Sequence, residues 1–188
     1  MTSTAFLDAN VLYSATWRNI LMYLAAFDAF QPLWSEAVQD EWTRNLTKNR
    51  PDLSPARIAR TRSLMDAHAM DAMVTGHEHL IATLNLPDPD DRHVLAAAIH
   101  GGASVIVTRN LKHFPAGPLA AHNITAQDPD TFISGLLDAD PKSAIPAFAA
   151  DRAARRNPAV NATEYPAALE ANDLPMTVAA LRAATPMI

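Results

Sequence analysis

The 188-residue chain is 49% hydrophobic and 6% aromatic, carries no cysteine and has a formal net charge of -5. Its length fits one domain with at most a small appendage, its apolar fraction excludes global disorder, and the missing cysteine excludes disulfides, thiolate metal sites and cysteine nucleophiles. The negative balance argues against an all-over basic nucleic-acid surface, while leaving room for acids gathered in one pocket and bases elsewhere.

The opening Met1-Thr2-Ser3-Thr4 has no basic segment or cleavage pattern, so no secretory leader is expected. No stretch nears the ~20 apolar residues of a membrane span, and a cytoplasmic location is the matching expectation. Ala5-Phe6-Leu7, stopped by Asp8, reads as a buried strand ending at the acid. Apolar residues at Leu12, Ile20, Leu21, Leu24 and Phe27 predict a helix over 10–27. A strand over 30–34 follows, then Ser35 as an N-cap and a helix over 36–46 carrying Ala37, Val38 and Trp42. Ser54-Pro55 marks another helix start, with Ile58, Leu64, Met65 and Ala69 on one face and an end near Met73. Pro87 and Pro89 break the chain, and Asp90 or Asp91 caps a helix over 92–100 that Gly101-Gly102 terminates.

Ala103-Ser104-Val105-Ile106-Val107-Thr108 is the clearest strand, and a shorter one is predicted over 123–126, with a helix over 131–137. From Asp138 onward proline recurs and alanine dominates, which predicts a helical extension with helices over 143–156, 165–171 and 176–184. Strands alternating with helices imply an α/β fold whose parallel sheet is covered on both faces. Functional groups in such folds collect at the carboxyl ends of the strands, and Asp8 and Asn110 each sit just past one.

The acids beside apolar elements are Asp8, Glu41, Asp88, Asp90 and Asp91. Taken singly, each has a plain structural alternative: Asp8 a turn residue, Asp90 and Asp91 helix caps, Glu41 a solvated helix residue. Carboxylates that converge repel one another unless a cation neutralises them, and hard oxygen ligands of this kind suit Mg²⁺ or Mn²⁺. His77-Glu78-His79 invites a zinc reading, but residues two apart do not share a helix face and no third ligand follows at suitable spacing. Gly101-Gly102 lies between a helix and a strand, the reverse of a phosphate-cradling loop.

Four segments in order carry a family resemblance. Phe6-Leu7-Asp8-Ala9-Asn10-Val11-Leu12 resembles the first strand and catalytic aspartate of PIN domains. The segment from Ser35 to Trp42 resembles the second motif, with Glu41 at its glutamate. Asp88-Pro89-Asp90-Asp91-Arg92-His93 and the alanines after it resemble the third, and Val105-Ile106-Val107-Thr108-Arg109-Asn110 the fourth. The resemblance covers residues 4 to 135 and points to the toxin-like ribonucleases of toxin–antitoxin pairs. It implies a three-layer α/β/α fold around a short parallel sheet in residues 1–138, with 139–188 as the helical extension. It implies Asp8, Glu41 and Asp91 as metal-binding carboxylates, Asp88 as a further ligand, and Asn10 and Thr108 as groups that orient the acids or contact substrate. Asn110 stands where many PIN domains have a fourth acid; its amide oxygen can still face a metal or water, and a single ion is expected.

The implied activity is metal-dependent hydrolysis of RNA, with structured RNAs such as transfer RNA as substrates, an antitoxin as partner and homodimers common. Phosphate contacts are expected first from Arg109 and Lys112 beside Asn110. The further basic candidates are Arg44, Lys48 and Arg50, then Arg57, Arg60 and Arg62, and Arg152, Arg155 and Arg156 in the extension. His93 and His113 are read as surface or structural residues able to approach the cleft. The alternatives are a catalytically silent module that binds RNA or protein, which Asn110 keeps open, and a flap-type DNA nuclease, for which the extra acids and helical insertions are missing.

Overall fold

The computed structural model describes residues 3–156 and 158–184, so Met1 and Thr2 lie outside it. Strand β1 (Ser3–Leu7) buries Ala5, Phe6 and Leu7 completely, as a central strand covered on both faces requires. Helices α1 (Ala9–Tyr13) and α2 (Ala15–Ala26) follow where one helix was expected over 10–27. Ser14 leaves the helical region, ends α1, and accepts a hydrogen bond from Trp17 N to cap α2. Apolar spacing runs unbroken across this point, so the break lies in the serine hydroxyl's competition for backbone amides.

Next come β2 (Phe30–Ser35), α3 (Glu36–Asn49) and α4 (Pro55–His68). Ser35 and Ser54 cap the two helices by accepting from Val38 N and Arg57 N, as their sequence positions predict. Helix α4 stops short of the expected Met73, because Met73–Val74 forms β3 and pairs with Trp34–Ser35 of β2. A strand of two residues is too short to leave a periodic signal. After α5 (Glu78–Ile81) and a 3-10 turn (Pro89–Asp91) comes α6 (Arg92–His100), whose end packs directly on the sheet. A Cβ on Gly101 would lie 2.7 Å from Leu33 Cδ1 and 2.9 Å from Val74 Cγ2, so only glycine allows that approach. The chain continues through β4 (Val105–Val107), a 3-10 turn (Leu111–His113), α7 (Ala116–Ala120), β5 (Thr125–Gln127) and α8 (Pro129–Ala139).

All five strands are parallel, in the order β3-β2-β1-β4-β5. The chain builds outward from β1 to β3, then crosses to the other side of β1 for β4 and β5. Right-handed crossovers therefore place α2 and α6 on opposite faces, giving the three-layer α/β/α arrangement expected. The reversal also opens a crevice between the carboxyl ends of β1 and β4, where ligands bind in sheets of this kind.

The last helices are α9 (Pro141–Ala154), α10 (Tyr165–Glu170) and α11 (Pro175–Ala184). Helix α9 packs on α2, and α11 packs on α8. Asp130 of α8 accepts from Met176 N and Thr177 N, both at 2.8 Å, and so caps α11 from outside its own segment. Phe148, Tyr165, Leu169, Val178 and Leu181 join the same apolar core as the sheet. Among the described residues no helix is long and apolar enough to cross a membrane.

Candidate active site

Register places the first acid. Leu7 of β1 pairs with Val107 of β4, so Asp8 and Thr108 are the next residues on adjacent parallel strands. Asp8 N donates to Val107 O at 3.1 Å, which holds the turn into α1 against β4. The Asp8 side chain is only 4% exposed. Its Oδ1 accepts from Ala9 N at 2.6 Å, and its Oδ2 from Thr108 Oγ1 at 2.7 Å and Asn10 Nδ2 at 2.5 Å. Thr108 Oγ1 in turn accepts from Asn10 Nδ2 at 3.1 Å and Asn110 N at 3.0 Å, and Asn10 Oδ1 accepts from Arg109 N at 3.0 Å. Asn10 and Thr108, anticipated as orienting groups, thus form a closed cradle around one carboxylate.

Asp91 stands at the N-cap position of α6 but makes no capping bond. The capping alternative applies instead to Asp88, which accepts from Asp90 N at 3.0 Å and closes the 3-10 turn. The Asp91 carboxyl meets His113 Nδ1 at 2.6 Å, and Asp88 Oδ2 lies 3.7 Å from the same nitrogen. Glu41, on α3, faces these groups across a cleft of about 580 Å³ whose lining includes Arg44, Asp88, Asp91, Asn110 and His113. His93 lines it as well, and burial pushes that imidazole's pKa down.

The acids sense one another. Burial first, then the charge of Asp91, raises the Asp8 pKa against the opposing hydrogen bonds of its cradle. Glu41 is raised by burial and by the charges of Asp8 and Asp91, with Arg44 acting in the other direction. Like charges that raise each other's proton affinity raise their affinity for a dication by the same repulsion. Carboxylates with one imidazole suit a hard divalent ion, though Asp8 and Glu41 stand outside the tight group of ligand atoms. Among the described residues, Asp88, Asp91 and His113 are the one group of three whose ligand atoms lie within 4.8 Å of one another.

Other candidates sit elsewhere. Lys112 is exposed and does not line the cleft. The Arg109 side chain turns from the carboxylates to lie 5.0 Å over the Trp17 ring and 3.4 Å from Asp173 Oδ2. Trp17 Nε1 donates to Asn172 O at 2.7 Å, so one turn of the C-terminal segment holds both. His77 is buried before α5 and His79 bonds Gly76 O, and neither joins a three-ligand group. His113 is the residue that sequence reasoning undervalued: it contacts Asp91 across 22 positions of chain, and only the 3-10 turn after Asn110 aims it there.

The family model for the PIN domain matches residues 4–112, more than half of the chain. A model described as the VapC50 C-terminal domain matches residues 129–183, starting within the helix α8 that the expected division assigns to the first unit. A relative from Mycobacterium tuberculosis named "Putative ribonuclease VapC50" is 49% identical over 67 residues, 36% of this chain and 39% of the relative. The match therefore spans well under half the length of that curated protein. No solved structure matches.

Proposed function

Because the chain belongs to the PIN-domain family, we propose that it is a metal-dependent endoribonuclease acting as the toxin of a toxin–antitoxin pair. The observation that carries this reading is the shared field of Asp8, Glu41 and Asp91 at the switch point of the sheet. The partial likeness to a protein named as a ribonuclease supports RNA as the substrate.

In this reading Asp8, Glu41 and Asp91 hold Mg²⁺ or Mn²⁺, with Asp88 as a further ligand. The bound ion would lower the pKa of a water and offset the charge that develops on the phosphate. Asp8 contributes through Oδ1: Oδ2 already accepts two hydrogen bonds and Oδ1 only one, which leaves a lone-pair site. Thr108 and Asn10 fix the direction of that site. His113 holds Asp91 by one oxygen, Oδ2, and no hydrogen bond is made by the other among the described residues. Asn110 offers an amide oxygen without charge, which favours one ion over two. Arg44, which lines the cleft, is the cation beside the carboxylates; Arg109 is a further one for the RNA backbone once it leaves Asp173, and Lys112 is exposed.

The proposal extends to the division into a catalytic unit, 1–138, and a helical extension, 139–188. It includes a cytoplasmic setting, a structured RNA such as transfer RNA as target, an antitoxin that covers the cleft, and pairing with a second copy. The test is cleavage of total bacterial RNA by the purified chain with Mg²⁺, Mn²⁺ or EDTA, beside Asp8→Asn. Discrete products that need metal and vanish in the variant are expected. Asn110 in place of an acid favours one other reading, a silent RNA- or protein-binding module; failure of Mn²⁺ to bind in calorimetry would select it.

A further inference from the structure

A second cleft, of about 570 Å³, opens between α2, α4 and the end of α9 and shares no lining residue with the carboxylate cleft. Asn19 and Tyr23 reach it from one face of α2, Arg57 from the first turn of α4, and Arg155 and Arg156 from the close of α9. One acid, Asp151, also lines it but is fully engaged. It is 1% exposed, accepts from Tyr165 Oη at 2.6 Å and Arg155 Nε at 2.9 Å, and lies 2.8 Å from Arg155 Nη2. The Arg155 guanidinium also sits 5.1 Å over the Tyr165 ring, so it is fixed in place. Asp151 and Arg155 cancel, and Arg57 and Arg156 form no ion pair among the described residues. Asp52, which Arg57 also influences, is held by Arg50, so two guanidinium groups with no ion pair of their own among the described residues share one concavity of a chain whose net charge is -5. The first turn of α4 adds the positive end of its helix dipole beside Arg57.

We propose that this cleft is an RNA-backbone exosite. Arg57 and Arg156 hold phosphate oxygens, whose geometry a guanidinium fork matches. Tyr23 supplies a stacking face for an unpaired base, and Asn19 a donor and acceptor for its edge. Helix α2 runs between this cleft and Arg109, the residue after Thr108 of the Asp8 cradle, since Trp17 on its first turn touches Arg109 while Asn19 and Tyr23 line the exosite. A strand bound at both places is anchored away from the bond that is cut. The inference rests on the ribonuclease reading for its choice of ligand, though its binding readout needs no cleavage.

The test uses the full chain in EDTA and a labelled single-stranded RNA, with anisotropy recorded over a range of salt. Arg57→Gln/Arg156→Gln is compared with the unsubstituted chain and with Arg182→Gln, a charge on α11 outside the cleft. Each phosphate contact on single-stranded nucleic acid contributes about 0.7 to the slope of log K against log salt, so the double variant is expected to lose about 1.4. The Arg182→Gln slope should stay put. An unchanged slope in the double variant, with metal-dependent cleavage intact, overturns the exosite and leaves the ribonuclease reading standing. The expected loss of slope in a chain that never cleaves RNA supports the exosite and removes the nuclease. No RNA binding at all in EDTA overturns the exosite and leaves the ribonuclease reading to the metal-dependent cleavage assay. Polyglutamate binding that the double variant loses while it keeps RNA would assign the cleft to an acidic protein instead.

Discussion

Asp8 is held in a place that disfavours its charge. Burial and Asp91 raise its pKa, so an ionised Asp8 is a cost to the ion-free fold. The sign follows from linkage: below the ordinary carboxylate pKa the group is protonated in both states and the cost is absent. The cost grows as pH rises toward the raised folded value, and it stays in full above that value. Asp8→Asn is therefore expected to melt higher than the unsubstituted chain in EDTA at pH 7, with the difference closing in acid. The same variant should lose RNA cleavage by at least about 100-fold, since removing groups that only orient metal ligands already costs about 10–100-fold. A lower melting point in EDTA would mean that the cradle stabilises the carboxylate more than burial opposes it. Thr108→Val removes one donor to Asp8 Oδ2 and takes away the acceptor shared by Asn10 Nδ2 and the Asn110 amide. It should weaken Mn²⁺ binding about 10–100-fold in calorimetry, with Thr108→Ser restoring most of it. These residues were legible because each follows a strand or opens a helix in a recognisable motif. His113 was not, because its role depends on a turn that carries it back to Asp91.

Elements were legible in proportion to their length. The caps at Ser35 and Ser54 and the strand around Ile106 were clear, since each combines a local chemical signal with a period. The break at Ser14 and the two-residue β3 were hidden, because one keeps the apolar spacing and the other is too short to have any. The bond between α10 and α9 was equally invisible. Tyr165 donates to Asp151, and burial with that neighbouring charge raises its pKa far above the ordinary tyrosine value. In the unfolded chain Tyr165 ionises near pH 10, while in the fold it stays protonated. Stability must then fall as pH rises above about 10, by up to about 1.4 kcal/mol per pH unit from this group, and be indifferent to it below. Tyr165→Phe should start lower by about 1.5–3 kcal/mol, for the lost bond to a charged acceptor, and show a shallower alkaline decline. Urea unfolding between pH 9 and 11 measures both; equal slopes would show that Tyr165 ionises freely in the fold.

At the scale of the molecule, sheet order does most of the functional positioning. Putting β4 beside β1 brings Thr108 to Asp8 across 100 residues, and the reversal at β1 leaves the crevice that Glu41 and Asp91 border. The alternation of strands and helices made the parallel sheet legible, while the order of neighbouring strands was not, because pairing between distant segments leaves no local signal. The C-terminal helices read as an appendage because they lack strands, yet they share the core. A chain ending after Ala139 would uncover the sides of α2 and α8 on which α9 and α11 pack. It is expected to lose a cooperative thermal transition, and an unchanged melt would show that these helices merely decorate the fold. The turn at Asn172 and Asp173 grips Trp17 by its indole N–H and Arg109 by its charge. Heredity should register that double grip: a lineage that sheds the tail loses at once the anchor for an indole at position 17 and the counter-charge for position 109, and its descendants are expected to drift at both.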